Sequence, residues 1–334
     1  MSDSKIGNLK LSYKESNNLH LILNPTEKCN FRCTYCYENF DIGKMTFNVV
    51  NGVKNYISKQ APLLDHLNIT WFGGEPTLAV DIIKNISEHV IRETSKFQHC
   101  KYSADMNTNG FLLYKDVFLE LLSLGIRGFQ ISLDGDEQNH NITRVQANGH
   151  GSYSQILDNL ANIASLSKED YQFEIILRIH AHPNNISGIE TLLYHLSTLI
   201  KGDDRFFLFY KEVGHLGSLN DEYFPVFMGD HNYYETFIKL CKSLGLQSIG
   251  NDKMPYCYAS NPNSFVIRPN GSIAKCTVGF DDFGNHVGSL SENGELNIQK
   301  NKFQPWLHGM IANIDEFKYC PKEYVNSLPN SSQL

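Results

Sequence analysis

The stretch CNFRCTYCYENF, residues 29–40, places three cysteines within eight residues at the spacing C-x3-C-x2-C, with aromatic and basic side chains between them. It follows directly on HLILNP (20–25), an apolar segment that reads as a buried strand, so the thiols stand on the loop leaving the first strand. Thiolates this closely spaced bind zinc or an iron–sulfur cluster. A structural zinc site closes its sphere with four ligands, and no fourth stands nearby. Three thiolates on a four-iron cluster would instead leave one iron open to a ligand. A zinc site completed by a distant Cys or His, or three unrelated core thiols, is the alternative reading.

Working outward, apolar strands alternate with helical periods. LNITWF (67–72), KYSADMN (101–107), RGFQISL (127–133), FEIILRIH (173–180) and RFFLFY (205–210) read as further buried strands. Between them Thr46 suits a helix N-cap, and Leu78, Ile82, Ile86 and Val90 recur every four residues along one helical face. Ile156, Leu160 and Ile163, and later Ile189, Leu192, Leu193, Leu196 and Leu199, repeat the pattern, and Gly125 stands at an expected helix end. Six strand-then-helix units predict an α/β fold with a parallel sheet, open or curled into a partial barrel, and reactive groups at the C-terminal strand ends.

Composition sets the chemical context. The 334 residues carry 29 basic and 36 acidic side chains, net −7, which argues against a nucleic-acid surface and favours a small molecule or a peptide as partner. No apolar run is long enough to span a membrane, and MSDSKIGNLK lacks the apolar core of a signal peptide, so a cytoplasmic location is expected. In a reducing compartment eight cysteines read as metal ligands or reactive groups rather than disulfides.

Three more strand ends carry residues that packing does not require. The second strand ends in WFGGEP, where Gly73 and Gly74 allow close backbone approach and Glu75 can hold an ammonium group. The third ends in NTNG (107–110), containing Asn109. The fourth ends in SLDG, where Ser132 supplies a hydroxyl and Asp134 a carboxylate. Taken singly, each also reads as turn chemistry.

Taken in order, these segments resemble the radical S-adenosylmethionine (SAM) enzymes. The likeness comprises C-x3-C-x2-C with the aromatic Tyr35 before the last cysteine, then GGEP, TNG and SLDG, over about residues 20–210. It implies a partial (β/α)6 TIM-like barrel in which Cys29, Cys33 and Cys36 hold a [4Fe–4S] cluster. The open iron would chelate the amino and carboxylate groups of SAM, whose reductive cleavage gives a 5′-deoxyadenosyl radical. Gly73, Gly74 and Glu75 would secure the ammonium, while Ser132 and a basic residue would suit the carboxylate, with Asn109 as a further cofactor-shell residue. Two arginines compete for that basic role. Arg144 lies in HNITR, similar to the HDxxR that follows SLDG in relatives, with Asn141 in place of Asp; Arg178 lies on the fifth strand, where an inward arginine needs a counter-ion.

Beyond residue 250 the chain turns to short strands, and N-G at 270–271 predicts a hairpin. Cys257, thirteen residues, Gly271, four residues and Cys276 resemble the opening of SPASM and twitch domains, which implies one auxiliary iron–sulfur cluster held by Cys257, Cys276 and Cys320. The C-x2-C-x5-C-x3-C run that completes a full SPASM domain has no counterpart here, which speaks against a second auxiliary cluster. A zinc knot or buried thiols is the alternative; Cys100 and Cys241 read as core. The expected organisation is an N-terminal extension (1–18), a core (19–215), a helical linker (216–250), a twitch/SPASM-like module (251–325) and a disordered tail (326–334).

The same plan occurs in maturases of ribosomally made peptides and in sulfatase maturases, which implies oxidative modification of a peptide or protein: crosslink, cyclophane or thioether formation. It also occurs in small-molecule dehydrogenases and cyclases, and a zinc-stabilised binding protein is the rival from another class. An electron donor of flavodoxin or ferredoxin type is implied. A leader peptide would be held by GNLKLSY (7–13) as an added strand or by a separate leader-binding protein. Asp134 and His180, and also His182, stand where a proton acceptor would be required.

Overall fold

The computed structural model describes residues 17–218, 220–229, 232–250, 256–280 and 282–328. The expected GNLKLSY edge strand, most of the N-terminal extension and the tail beyond Leu328 lie outside these residues. The chain forms two compact units. The first joins the described residues up to Lys28, Asp41–Ala104 and those of the stretch from Lys253 onward; the second joins Cys29–Phe40 and Asp105–Asp252.

In the first unit, β1 (Asn18–Leu23) pairs in parallel with β2 (His66–Trp71), Leu21 opposite Ile69. Leu21, Leu23, Leu67, Ile69 and Trp71 are fully buried. Helix α1 (Phe47–Gln60) begins where predicted: Thr46 Oγ1 accepts the Val49 N–H at 3.4 Å. Helix α2 (Val80–Thr94) turns Ile82, Ile86 and Val90 inward, while Leu78 falls in the preceding 3-10 turn, Pro76–Ala79. Strand β3 (Lys101–Thr108) begins in this unit and ends in the second.

In the second unit β4 (Ile126–Leu133), β5 (Glu174–Ala181) and β6 (Phe206–Glu212) are parallel neighbours, joined by helices as the alternation predicts. These are α3 (Lys115–Ser123), α4 (Glu137–Thr143), α5 (Tyr153–Ala164), α6 (Ile186–Ile200) and α7 (Tyr233–Leu244). Gly125 follows α3 with φ +82°, the left-handed conformation expected of a helix end. Cys241 on α7 is fully buried and Cys100 nearly so, in keeping with core roles.

The predicted hairpin forms from β7 (Ser264–Ile267) and β8 (Ser272–Ala274), closed through Gly271 at φ +83°. It is joined to the sheet. β7 pairs in parallel with β1, and β9 (His286–Leu290) and β10 (Leu296–Ile298) continue outward, giving the order β10-β9-β8-β7-β1-β2 within the unit. The described chain ends in a short helix, Pro321–Ser327, which takes in the first residues of the expected tail. Thr46→Ala is expected to cost about 1 kcal/mol of stability, seen as a lower denaturation midpoint that Thr46→Ser restores.

Candidate active site

The cysteine loop is clamped from one side by the segment after α4. Thr34 N–H donates to Thr143 O at 2.9 Å, Arg32 N–H to Val145 O at 2.8 Å, and Ala147 N–H returns to Asn30 O at 2.7 Å. From another side Asn109 Nδ2 donates to Asn30 Oδ1 at 2.8 Å and lies 3.9 Å from Cys29 Sγ, which also faces the Phe31 N–H at 3.3 Å. Amide groups directed at sulfur are the environment a ligating thiolate requires.

Between Cys33 and Cys36, Tyr35 carries the most heavily bonded hydroxyl of the unit. It donates to Asp134 (2.7 Å to Oδ2, 2.9 Å to Oδ1), accepts from Arg144 Nη1 at 2.9 Å and lies 3.0 Å from His180 Nδ1. Asp134 is fully buried and also accepts from Thr143 Oγ1 at 2.7 Å. Burial opposes its charge, but the bond from His180 and the Arg144 guanidinium prevail and hold it below the usual carboxylate range. Burial pushes the Tyr35 phenol well up and lowers His180 to about 4. His180 is therefore neutral, with its Nδ1 proton turned to Asp134 Oδ1 at 3.3 Å, and its Nε2 has no hydrogen bond among the described residues.

A second histidine stiffens the frame. His140 Nδ1 accepts the Asp134 N–H at 3.3 Å, so Nε2 carries the proton and donates it to Ser152 Oγ at 3.1 Å, which in turn donates to Arg144 O at 2.8 Å. Burial lowers His140 to about 3. Asn185 Nδ2 ties Asp134 O (3.0 Å) to His180 O (2.9 Å). His182 instead packs on Phe224, with ring centroids 5.1 Å apart.

The two competing arginines have different neighbours. Arg144 is buried at 6% exposure and committed to Tyr35. Arg178 stands in register with Ser132 across β4 and β5, makes no ion pair among the described residues, and its buried Nε has no hydrogen-bond partner. Burial disfavours its charge. Arg144 Nε is unpartnered in the same way, so each arginine keeps one donor that an incoming carboxylate could use.

In the first unit the GGEP turn folds onto the residues before Cys29. A Cβ on Gly73 would strike Thr26 O, and one on Gly74 would strike Glu27 O and Lys28 O. Glu75 is fully buried and caps the following turn, accepting Thr77 N–H at 3.0 Å and Thr77 Oγ1–H at 2.6 Å. Glu27 forms a buried bidentate pair with Arg268, at 2.7 and 2.9 Å, which the sequence did not signal.

The same unit brings Cys257, Cys276 and Cys320 together. Burial pushes Cys276 to about 11, with smaller upward pushes from the charges of Cys257 and Cys320. The Cys276 turn hangs on buried Asn285, whose Oδ1 accepts the N–H groups of Lys275 (3.0 Å) and Cys276 (2.9 Å) and whose Nδ2 donates to Cys276 O at 2.9 Å. Lys275 is fully buried and lowered to about 7 by that burial, its Nζ donating to Ser264 O at 2.6 Å. It has no carboxylate partner among the described residues, so an anionic thiolate cluster would offset its charge. Nowhere among the described residues do three His, Cys, Asp or Glu side chains converge as on a single ion; a cubane takes each thiolate on a separate iron.

Comparison with known proteins decides the family. The Radical SAM superfamily model matches residues 23–193. The chain belongs to the radical SAM superfamily. It is 25% identical over 290 residues to the cysteine-type anaerobic sulfatase-maturating enzyme of Clostridium novyi, covering 77% of this chain and 73% of that one. Its fold matches the structure of anSMEcpe with bound AdoMet and Cp18Cys peptide at TM-score 0.59 and 19% identity, over 90% of this chain and 83% of that one. It likewise matches Streptococcus suis SuiB bound to precursor peptide SuiA at TM-score 0.55 and 14% identity, over 82% of this chain and 62% of that one. This radical SAM protein is an enzyme whose cofactors are a SAM-binding [4Fe–4S] cluster and SAM. No helix among the described residues is long and apolar enough to cross a membrane.

The neutral histidines set a pH dependence. The unfolded chain binds protons below about pH 6.5 that buried His180 and His140 refuse, so this stability is complete above that value. It is lost as pH falls towards about 4 for His180 and about 3 for His140, and protonation of Asp134 acts in the same direction at the acid end. Denaturant midpoints are expected to fall from about pH 6.5 downward, with a shallower slope in His140→Asn.

Proposed function

We propose that this radical SAM enzyme oxidatively modifies a peptide or protein side chain. The observation that carries the reading is the second thiol set, Cys257, Cys276 and Cys320, whose charges act on one another in the unit that buries Lys275: removing two hydrogens from a substrate needs an electron acceptor besides SAM. The solved neighbours with peptide bound support the choice of substrate class.

When bound, the clusters and SAM supply a 5′-deoxyadenosyl radical for hydrogen abstraction and an acceptor for the electron left behind. Cys29, Cys33 and Cys36 are the thiolates for the first cluster, their loop fixed by Asn109, Thr143 and Val145. Ser132 and Arg178 would hold the methionine carboxylate. His180 accepts the substrate proton at Nε2 while Asp134 holds its Nδ1–H, which fixes the tautomer.

Anaerobic incubation with reductant, SAM and candidate peptides is expected to give products lighter by two hydrogens and one 5′-deoxyadenosine per product. An unmodified peptide alongside a modified small molecule would overturn the substrate reading. Cys33→Ala is expected to abolish 5′-deoxyadenosine formation. Cys276→Ala and His180→Gln should retain uncoupled SAM cleavage but lose product by at least about tenfold; equal loss of both readouts in all three variants would refute this division of roles.

A further inference from the structure

Arg144 is fixed at both its head and its main chain. Its N–H donates to His140 O at 2.7 Å, its carbonyl receives Ser152 Oγ, and its flanking residues carry the backbone bonds to the cysteine loop. The guanidinium reaches Tyr35 OH at 2.9 Å and lies over the Phe31 ring, 5.8 Å from its centroid. It forms no salt bridge among the described residues. Asp134, the opposite charge, is reached through the phenol, which donates to the carboxylate while accepting from the guanidinium.

A carboxylate and a guanidinium held apart by a hydroxyl do not cancel at a third point. Each acts on the thiolates according to its own position, in a buried setting where screening is weak. We propose that Arg144, locked by Tyr35 against the Cys33–Cys36 segment, raises the reduction potential of the cluster held there, and that Asp134 lowers it. Reduction adds negative charge to the cluster, so a fixed cation favours the reduced form and a fixed anion the oxidised form.

The inference rests on the family assignment and not on the substrate reading, so the test omits both SAM and peptide. Holoenzyme reconstituted anaerobically to matched iron content is titrated electrochemically, with the reduced cluster followed by electron paramagnetic resonance. Arg144→Gln, which keeps a donor for Tyr35, is expected to lower the midpoint potential. Asp134→Asn, which keeps an acceptor, is expected to raise it, and Arg144→Lys should stay near the parent value. General loosening of the loop would not move the two neutral variants in opposite directions. Shifts of the same sign, or no shift with iron content intact, would overturn the proposal. So would an unchanged potential in Arg144→Gln with SAM affinity alone weakened, which would reassign the residue to the cofactor's carboxylate. Should Arg144→Gln fail to hold iron, Asp134→Asn decides alone: an unchanged or lowered potential refutes the assignment.

Discussion

The second unit depends on one hydroxyl. Tyr35 OH holds a carboxylate, a guanidinium and an imidazole at hydrogen-bond distance, and the cysteines to either side inherit that rigidity. Without the phenol, Asp134 would be a buried anion short of a donor and Arg144 a buried cation short of an acceptor, each unfavourable by about 1–3 kcal/mol or more. The aromatic ring thus stabilises a charge pair that stabilises the loop in return. A loop between strand and helix is ordinarily a mobile place for chemistry. Here His140, Thr143, Ser152 and Asn185 hold from behind the Asp134 and Arg144 that Tyr35 engages.

Much of this was legible in the sequence. The six strands and their helices follow from apolar runs alternating with helical periods, and within β2, β4 and β5 buried residues alternate with more exposed ones. Thr46, Gly125 and the Asn270–Gly271 hairpin were likewise readable, since each rests on local backbone chemistry. The spacing of Cys29, Cys33 and Cys36 left zinc open by itself and took its meaning from GGEP, TNG and SLDG following in order.

What the sequence withheld are contacts between residues far apart in the chain. Nothing in HNITR distinguishes a solvated Arg144 from one buried at 6% exposure, because its partners lie 109 residues away at Tyr35 and eight residues on at Ser152. That Arg178 stands opposite Ser132 likewise needed the β4–β5 register. Lys275, Asn285 and the Glu27–Arg268 pair were silent for the same reason. Each is a polar group whose meaning lies wholly in what surrounds it. The aromatic segment RFFLFY forms the buried strand expected of it, with Tyr210 packed on Phe237.

The parallel seam between β1 and β7 bears on how such enzymes diversify. Leu21 and Ile22 are bonded along one edge to the strand that leads to Cys276, while Asn24, nearer the first cluster loop, donates to Ile267 O at 3.0 Å. A C-terminal segment borrowed from a relative would therefore have to present a complementary strand edge as well as its own cysteines. Recombination at this boundary is restrained by main-chain register, and new substrate ranges are more accessible by altering loops than by exchanging the whole segment.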